Sequence, residues 1–343
     1  MSGRHSKDVN KINDESIKKK NRIKQIFIKF VCVLLIFIIL SAGFIGVFFK
    51  TGVFQTFKEL WVQTAMGTMS HQYLATWFLS DEEIEEIMNK LEVQNDENSN
   101  SSDILVASKL NGGLKKNVEF EEISDDNYKG YVIIIHDPSK VKLVDTRKKG
   151  VGTILSNIAK EYDAVAAINA GGFADPDGKG NGGILADATI IDKKMLYGNE
   201  KTRYRLVGLS KDGTLILGTY NYKEAIEAGI DSAVEFGPFL IVNGKEQIKN
   251  KNSGGIQPRT AIGQRKDGTM ILVCIDGRKP GHSIGATYMD LQEIMVKYDV
   301  YNAANLDGGS SSTMFYNGKI VNKPSTPSKL GERYLPNAIV VER

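Results

Sequence analysis

The rhythm of apolar and polar positions divides the chain before any motif is considered. From Phe30 to Phe49 there are 20 residues without a charge, including the run Val31 to Leu40. That length suffices to cross a hydrocarbon core of roughly 30 Å and predicts a transmembrane helix over 30–49. Residues 50–93 read as helical. Ser80-Asp81-Glu82-Glu83 forms a capping box, and Ile84, Ile87, Met88 and Leu91 recur at helical spacing. This stretch is expected to be a juxtamembrane stalk or a self-association surface. Gln94 to Asp103 contains no apolar residue and predicts a solvated linker over 94–103.

Beyond Ile104 strands dominate, so residues 104–343 are expected to form one soluble domain. Four pairs of strand-like runs flank turn residues and predict antiparallel hairpins. They are Tyr131–Ile135 with Val141–Val144, Leu206–Leu209 with Leu215–Leu217, Thr260–Gln264 with Met270–Ile275, and Met314–Tyr316 with Lys319–Val321. Two helices stand out, Thr153–Tyr162 and Thr287–Tyr298. Each precedes a short apolar strand, Ala164–Ile168 and Ala303–Leu306, and each strand runs into a glycine-rich turn. The fold class that follows is α+β, with mostly antiparallel or mixed β-sheets and packed helices, preceded by a single transmembrane helix and a helical stalk.

Charge sharpens this division. The net charge of +3 conceals a basic tail, because residues 1–29 carry nine of the 44 basic side chains and three of the 41 acidic ones. The remaining 35 basic and 38 acidic residues give −3, which argues against nucleic acid as a partner of the folded part. The same tail predicts a cytoplasmic N-terminus and an extracytoplasmic domain. A cleaved signal peptide competes with an uncleaved anchor, since Ser41-Ala42-Gly43 resembles a cleavage site; the length of the apolar run favours the anchor. Of the two cysteines, Cys32 lies in the span and Cys274 in a predicted buried strand. No disulfide is expected between them, and a domain of this size without one fits a bacterial cell surface.

Polar clusters fall at strand ends and loops, where sites are usually carried. They are Asn169-Ala-Gly-Gly-Phe173, Gly237-Pro-Phe239, Pro258-Arg-Thr-Ala-Ile-Gly263, Asp276-Gly-Arg278 and Asp307-Gly-Gly-Ser310. The last places a carboxylate at a strand end, followed by two glycines and the hydroxyls of Ser310, Ser311 and Ser312. A tight turn capped by the Asp explains part of that pattern, but a two-residue hairpin turn does not need all of it. Arg259 and Arg278 are side chains matched to phosphate, although a surface arginine needs no partner.

In this order and spacing, these motifs resemble the phosphodiester glycosidase family over roughly residues 130–343. The match includes Asn305 to Ser311 and Asn337-Ala-Ile-Val-Val341. The chain departs from the family's frequent Asp-Gly-Gly-Gly-Ser at Ser310. The resemblance implies hydrolysis of a sugar-1-phosphodiester that releases the sugar and leaves a phosphomonoester. It implies Asp307 as the essential carboxylate, with Glu293 and Asp276 as alternatives; Glu293 reads equally as an exposed helix charge. It implies substrate and phosphate contacts from Arg259, Thr260, Arg278, Asn169, Gly171, Gly172, Phe173, Gly308, Gly309, Ser310 and Ser311. A non-catalytic glycan-binding or envelope-assembly protein on the same fold is the alternative. No cofactor is implied, with a carboxylate-bound Ca²⁺ or Mg²⁺ left open. His136 and His282, the only histidines after residue 103, do not make a zinc cage. Asp175-Pro-Asp-Gly-Lys-Gly180 fails the EF-hand pattern, and a serine–His282 dyad lacks its usual G-x-S-x-G elbow.

Overall fold

The computed structural model describes residues 2–50, 52–95, 97–105, 118–147, 150–175 and 180–343, with side chains from residue 20 onward. Two compact units result, Met1–Lys58 and Glu59–Arg343. In the first, helix α1 (Ser2–Lys50) contains the stretch Lys20–Lys50, long and apolar enough to cross a membrane. A membrane anchor and a signal sequence share that property.

The second unit is built on three sheets whose neighbouring strands all pair antiparallel. The first sheet runs in the order β1 (Val118–Ser124), β2 (Lys129–Ile135), β13 (Met270–Ile275), β12 (Arg259–Gln264), β14 (Asn302–Leu306), β10 (Phe239–Val242) and β11 (Lys245–Glu246). The second runs β16 (Lys319–Ile320), β15 (Met314–Tyr316), β4 (Ala164–Asn169), β17 (Asn337–Glu342) and β3 (Val141–Asp145). The third runs β6 (Lys194–Tyr197), β5 (Thr189–Ile191), β9 (Ser232–Glu235), β7 (Tyr204–Leu209) and β8 (Leu215–Tyr220).

The central strands are apolar without alternation because both of their faces are covered. In β2, Ile133 and Ile135 enter a core shared by all three sheets, while Val132 and Ile134 face the opposite way. Helix α7 (Tyr288–Lys297) covers that second face with Leu291, Ile294 and Met295. Helix α5 (Leu155–Glu161) packs Leu155, Ile158 and Ala159 on β4 and β17. A strand buried on both faces reads as a continuous hydrophobic run, as these do.

Three of the expected hairpins form: β7–β8, β12–β13 and β15–β16. The last turns on Asn317 and Gly318, both at positive φ, as a two-residue hairpin turn requires. The fourth does not form. β2 stays in the first sheet, whereas β3 pairs with β17 in the second. Between them, Asp137 caps a short 3₁₀ turn over Pro138–Lys140. That connection is long enough to change sheets, and Val141 and Leu143 then enter the shared core from the second sheet.

Residues 59–103 differ more from expectation. The capping box forms at the start of α4 (Asp81–Lys90), and Ile84, Ile87 and Leu91 are buried. The last part of α2 (Gln55–Met66) and α4 are tied to the domain rather than standing off it. Gln63 Oε1 accepts from Gly254 N, Thr64 Oγ1 from Ile256 N, and the Leu91 carbonyl from Ser253 Oγ. Residues expected as a solvated linker also dock. Asn95 exchanges two hydrogen bonds with the Phe239 backbone, and Ser99 exchanges two with Leu217 on edge strand β8. Asparagine and serine carry donors and acceptors that an edge strand lacks. The composition that suggested solvation serves here to satisfy backbone.

Candidate active site

The two glycine-rich turns meet at one place. Asp307 N donates to the Ala170 carbonyl at 2.9 Å, and Asn169 Nδ2 donates to the Asp307 carbonyl at 2.5 Å. Asn169 Oδ1 accepts from Thr260 Oγ1 at 2.9 Å and from Thr313 N at 3.1 Å. Asn169 is therefore spent on holding three segments together, and Thr260 is wholly buried beside it. Gly171 N donates to Asn337 Oδ1 at 2.6 Å, and a Cβ at Gly171 would fall 2.8 Å from Val234. Asn169, Thr260 and Gly171 support the site from behind and do not line it.

In front lies a cavity of about 1200 Å³, with Asp307, Gly308, Gly309, Ser310 and Ser311 on its lining. Burial pushes the Asp307 carboxyl up to about 7, against the opposing pull of a Ser311 hydrogen bond, the Arg333 charge and the Gly308 N–H; Asp175 adds a smaller push upward. A carboxyl so placed exchanges its charge near neutrality, which is where general acids, bases and nucleophiles are tuned. Gly309 sits at φ +59°, where a side chain would be strained. A Cβ at Gly308 would meet the Pro258 carbonyl at 2.8 Å.

Arg259 and Arg278 also line the cavity, and neither has a carboxylate partner among the described residues. Arg259 donates from Nε to the Ala286 carbonyl at 3.0 Å and from Nη2 to the carbonyls of Gly254 and Gly255; its guanidinium lies 4.1 Å from the Tyr288 ring centre. Arg278 donates from Nε and Nη2 to Gln257 Oε1 at 3.1 and 2.5 Å. Burial lowers the pKa of both, and the Arg259 charge lowers that of Arg278 further. Arg259 is buried and Arg278 is exposed on the cavity rim; two neighbouring cations with no carboxylate in contact form a site that suits an anion. Two of the three Arg259 nitrogens are committed to carbonyls, which leaves Nη1 for a ligand.

Gly172 and Phe173 line the cavity as expected; Asp276 and Glu293 do not. Asp276 is 1% exposed and accepts from Tyr131 Oη, Asn322 Nδ2 and Lys323 N, with His282 Nε2 at 2.7 Å. It organises a buried polar network in which His282 is engaged by its carboxylate and Asn322 links it to the Ser312 carbonyl. Glu293 is exposed on α7, whose inward positions are Leu291, Gln292, Ile294 and Met295. Neither alternative to Asp307 stands in the cavity.

Several lining residues carried no motif. Arg333 donates to Asp175 Oδ1 at 2.7 Å, Ser310 Oγ at 3.0 Å and the Gly180 carbonyl at 3.2 Å, which positions the loop after Asp307. Asp187, Arg205 and Phe236 form another wall, and Gln63, His71 and Leu91 reach the cavity from the region expected to be a stalk. The one available signal was the glycine of Gly237-Pro238, because a Cβ there would lie 2.7 Å from Arg205 Cζ. Among the described residues no group of three His, Cys, Asp or Glu side chains is arranged to hold a metal ion. Residues 176–179 of the calcium-like loop lie outside the described residues.

The class of protein to which this fold and cavity belong is shown by comparison: the chain is a member of the phosphodiester glycosidase family, whose model matches residues 162–342. The chain is 27% identical over 185 residues to human N-acetylglucosamine-1-phosphodiester alpha-N-acetylglucosaminidase, covering 49% of this chain and 35% of that protein. It is 31% identical over 190 residues to the SPbeta prophage-derived protein YomE of Bacillus subtilis, covering 50% of this chain and 27% of that protein. The chain thus spans about a third of the length of these relatives. Among solved structures, the catalytic domain of the zebrafish N-acetylglucosamine-1-phosphodiester alpha-N-acetylglucosaminidase shares the fold, with a TM-score of 0.56 and 22% identity over 72% of this chain and 88% of that one.

Proposed function

We propose that the chain hydrolyses the bond between the anomeric carbon of a sugar and the phosphate of a sugar-1-phosphodiester. The C1–O bond breaks, water supplies the new oxygen on C1, and the bridging oxygen leaves with the phosphate as a monoester. The observation that carries this reading is the juxtaposition on one cavity of Asp307, titrating near neutrality, with Arg259 and Arg278, neither of which contacts a carboxylate among the described residues. In its ionised form Asp307 stabilises or traps the positive charge that develops at C1. The arginines neutralise the departing phosphate, a leaving group that needs less proton assistance than an alkoxide. Arg333 and Ser310 hold the loop in place, and the Asn169 amide fixes the Asp307 backbone.

The Lys20–Lys50 helix and the basic tail support a single-pass anchor that displays this domain outside the cell, on phosphorylated surface or exopolysaccharide glycans. The test is release of free sugar from a methyl phosphodiester of α-N-acetylglucosamine 1-phosphate by the purified full chain in detergent. Binding of that compound without turnover, in an Asp307-dependent manner, would leave a glycan-binding protein instead. Protease on intact cells tests the topology, and protection of residues 104–343 would contradict it.

A further inference from the structure

The segment leading from α2 to α4 is apolar on two sides, and the protein covers one of them. Val62, Ala65, Ala75 and Leu79 are buried. Trp61 and Tyr73 are each 40% exposed, Met69 64% and Trp77 72%. The aromatic side chains form one patch. Trp61 donates Nε1 to the Leu74 carbonyl at 3.0 Å, and the rings of Tyr73 and Trp77, on the short helix α3 (Tyr73–Thr76) and its C-cap, lie 4.8 Å apart. From Trp61 to Ser80 there is no Asp, Glu, Lys or Arg, in a chain where these make up 25% of residues. Both tryptophans of the chain fall in this stretch. A segment hydrophobic on every side is one that something covers on every side.

Chain length limits what can cover the exposed side. The stretch long and apolar enough to cross a membrane ends at Lys50, and α2 begins at Gln55. Extended chain from Lys50 to Gln55 and helix from Gln55 to Trp61 reach at most roughly 27 Å, so Trp61 stays that close to the end of the stretch. Tryptophan and tyrosine gather where hydrocarbon meets water, because the ring is apolar and its N–H or O–H is not. The lack of formal charge removes the desolvation cost that keeps ordinary protein surfaces out of that zone. Charge returns at Asp81 and Glu82 on α4. The same segment also reaches the cavity: Met69, Ser70 and His71 line it, with Gln63 and Met88. The cavity therefore opens beside the patch.

We propose that the patch of Trp61, Met69, Tyr73 and Trp77 lies in the interfacial zone of the bilayer that holds the anchor, and that the cavity beside it takes a sugar-1-phosphodiester whose second ester is a lipid of that bilayer. The docking rests on the anchor proposed above, and the lipid aglycone rests on the proposed hydrolysis. A diester carried in this way keeps its sugar and phosphate at headgroup level, where a cavity held against the surface meets them. Confining enzyme and substrate to one plane raises their effective concentration, an advantage that a freely soluble diester lacks. A second copy of the chain would also cover aromatic side chains, but the short tether to an apolar span favours the bilayer.

The test uses the full chain in phosphatidylcholine nanodiscs, with dibrominated acyl chains as a fluorescence quencher confined to the bilayer. The apolar stretch holds no tryptophan, so the emission reports the patch alone, and Trp61→Phe leaves Trp77 as the sole reporter. At one chain per disc, Trp77 emission should fall by about half or more in brominated discs relative to unbrominated ones. Unquenched emission from chains that co-migrate with the discs overturns the docking, as does shielding from acrylamide that appears only at two chains per disc, the mark of a second copy. Failure to co-migrate removes the anchor and the docking together. Turnover is then compared for α-N-acetylglucosamine 1-phosphate diesters of methanol and of farnesol in the same discs. The farnesyl diester should lead in kcat/KM by about tenfold or more, and the double variant Tyr73→Ser, Trp77→Ser should cut that lead severalfold with the methyl diester unchanged. Neither residue lines the cavity. Equal rates on the two diesters, or a lead that the double variant keeps, overturns the lipid substrate. Quenching without turnover of either diester retains the docking and removes the hydrolase.

Discussion

The chain builds the same local unit twice: helix α5, strand β4 and a glycine turn after Asn169, then helix α7, strand β14 and a glycine turn after Leu306. The two strands lie in different sheets, and their turns touch through Asn169, Ala170 and Asp307. One unit ends in a neutral amide whose donor and acceptor are both consumed by protein. The other ends in a carboxylate that faces a cavity and titrates near neutrality. The comparison shows how one geometry serves two ends: an amide satisfies three neighbours at once and is enclosed, while a carboxylate at the matching turn, held by Ser311 and the Gly308 N–H, is left facing the cavity.

Replacing the reactive end should have the largest effect. Asp307→Asn removes charge with little change in volume, so turnover should fall on the order of 10³-fold while the melting temperature holds or rises. The rise depends on pH. The Asp307 pKa is raised in the fold from 3.8 to about 7, so the unfolded chain ionises first and stability falls as pH climbs through that window. Thermal melts of wild type against Asp307→Asn should therefore diverge between pH 4 and 7, the variant gaining at the high end. Wild-type turnover should climb with pH through about 7. Parallel melts and a flat rate profile would mean that the carboxyl is not buried as described.

Replacing the supporting end comes next. Asn169→Ala strands Thr313 N, Thr260 Oγ1 and the Asp307 carbonyl, at a cost of about 3 kcal/mol for groups left unpaired. The melting temperature should drop by many degrees and kcat with it, because the Asp307 backbone loses its anchor. A normal melt with reduced kcat would instead place Asn169 in contact with substrate. Deleting residues 1–103 should be comparably damaging, since residues 63–99 supply cavity lining and edge-strand hydrogen bonds. A fully active, stable 104–343 fragment would restore the independent domain that composition suggested.

Much of this comparison was legible in the sequence. Helix, strand and turn were marked by Thr287 and its cap on Asp290, by short apolar runs and by paired glycines. Asp307, Arg259 and Arg278, singled out at strand ends, line one cavity. What failed depends on tertiary partners. Asp276 and Asp307 both follow apolar strands, and only packing reveals that one is enclosed by Asn322, Lys323 and His282. Arg333, Asp187 and Arg205 sit in stretches without glycine signatures of their own. The Gln94–Asp103 segment was misjudged because polarity reports neither solvent nor edge strand by itself.

A milder change sharpens the arginine half of the site. Arg278→Lys keeps a charge near Gly309 but cannot reproduce a planar guanidinium that engages Gln257 with one edge and an anion with another. KM for phosphodiesters should rise about tenfold, with little change for aryl glycosides, which present no phosphate. Equal losses on the two substrate types would remove Arg278 from the phosphate.

The smallest effect is expected at Glu293, and it tests whether the α7 unit contributes anything beyond position. Leu291, Ile294 and Met295 are buried against the first sheet, so helical geometry turns residue 293 toward solvent. Its carboxylate is exposed and lines no part of the cavity. Glu293→Gln should leave kcat and KM within about twofold and stability within about 0.5 kcal/mol, as for a surface substitution. Activity assays on the variant beside Asp307→Asn provide the contrast within a single helix–strand unit. A loss approaching that of Asp307→Asn would mean that α7 rotates in the working enzyme to bring a second carboxylate to the substrate, and the division between support and chemistry would have to be redrawn within that unit.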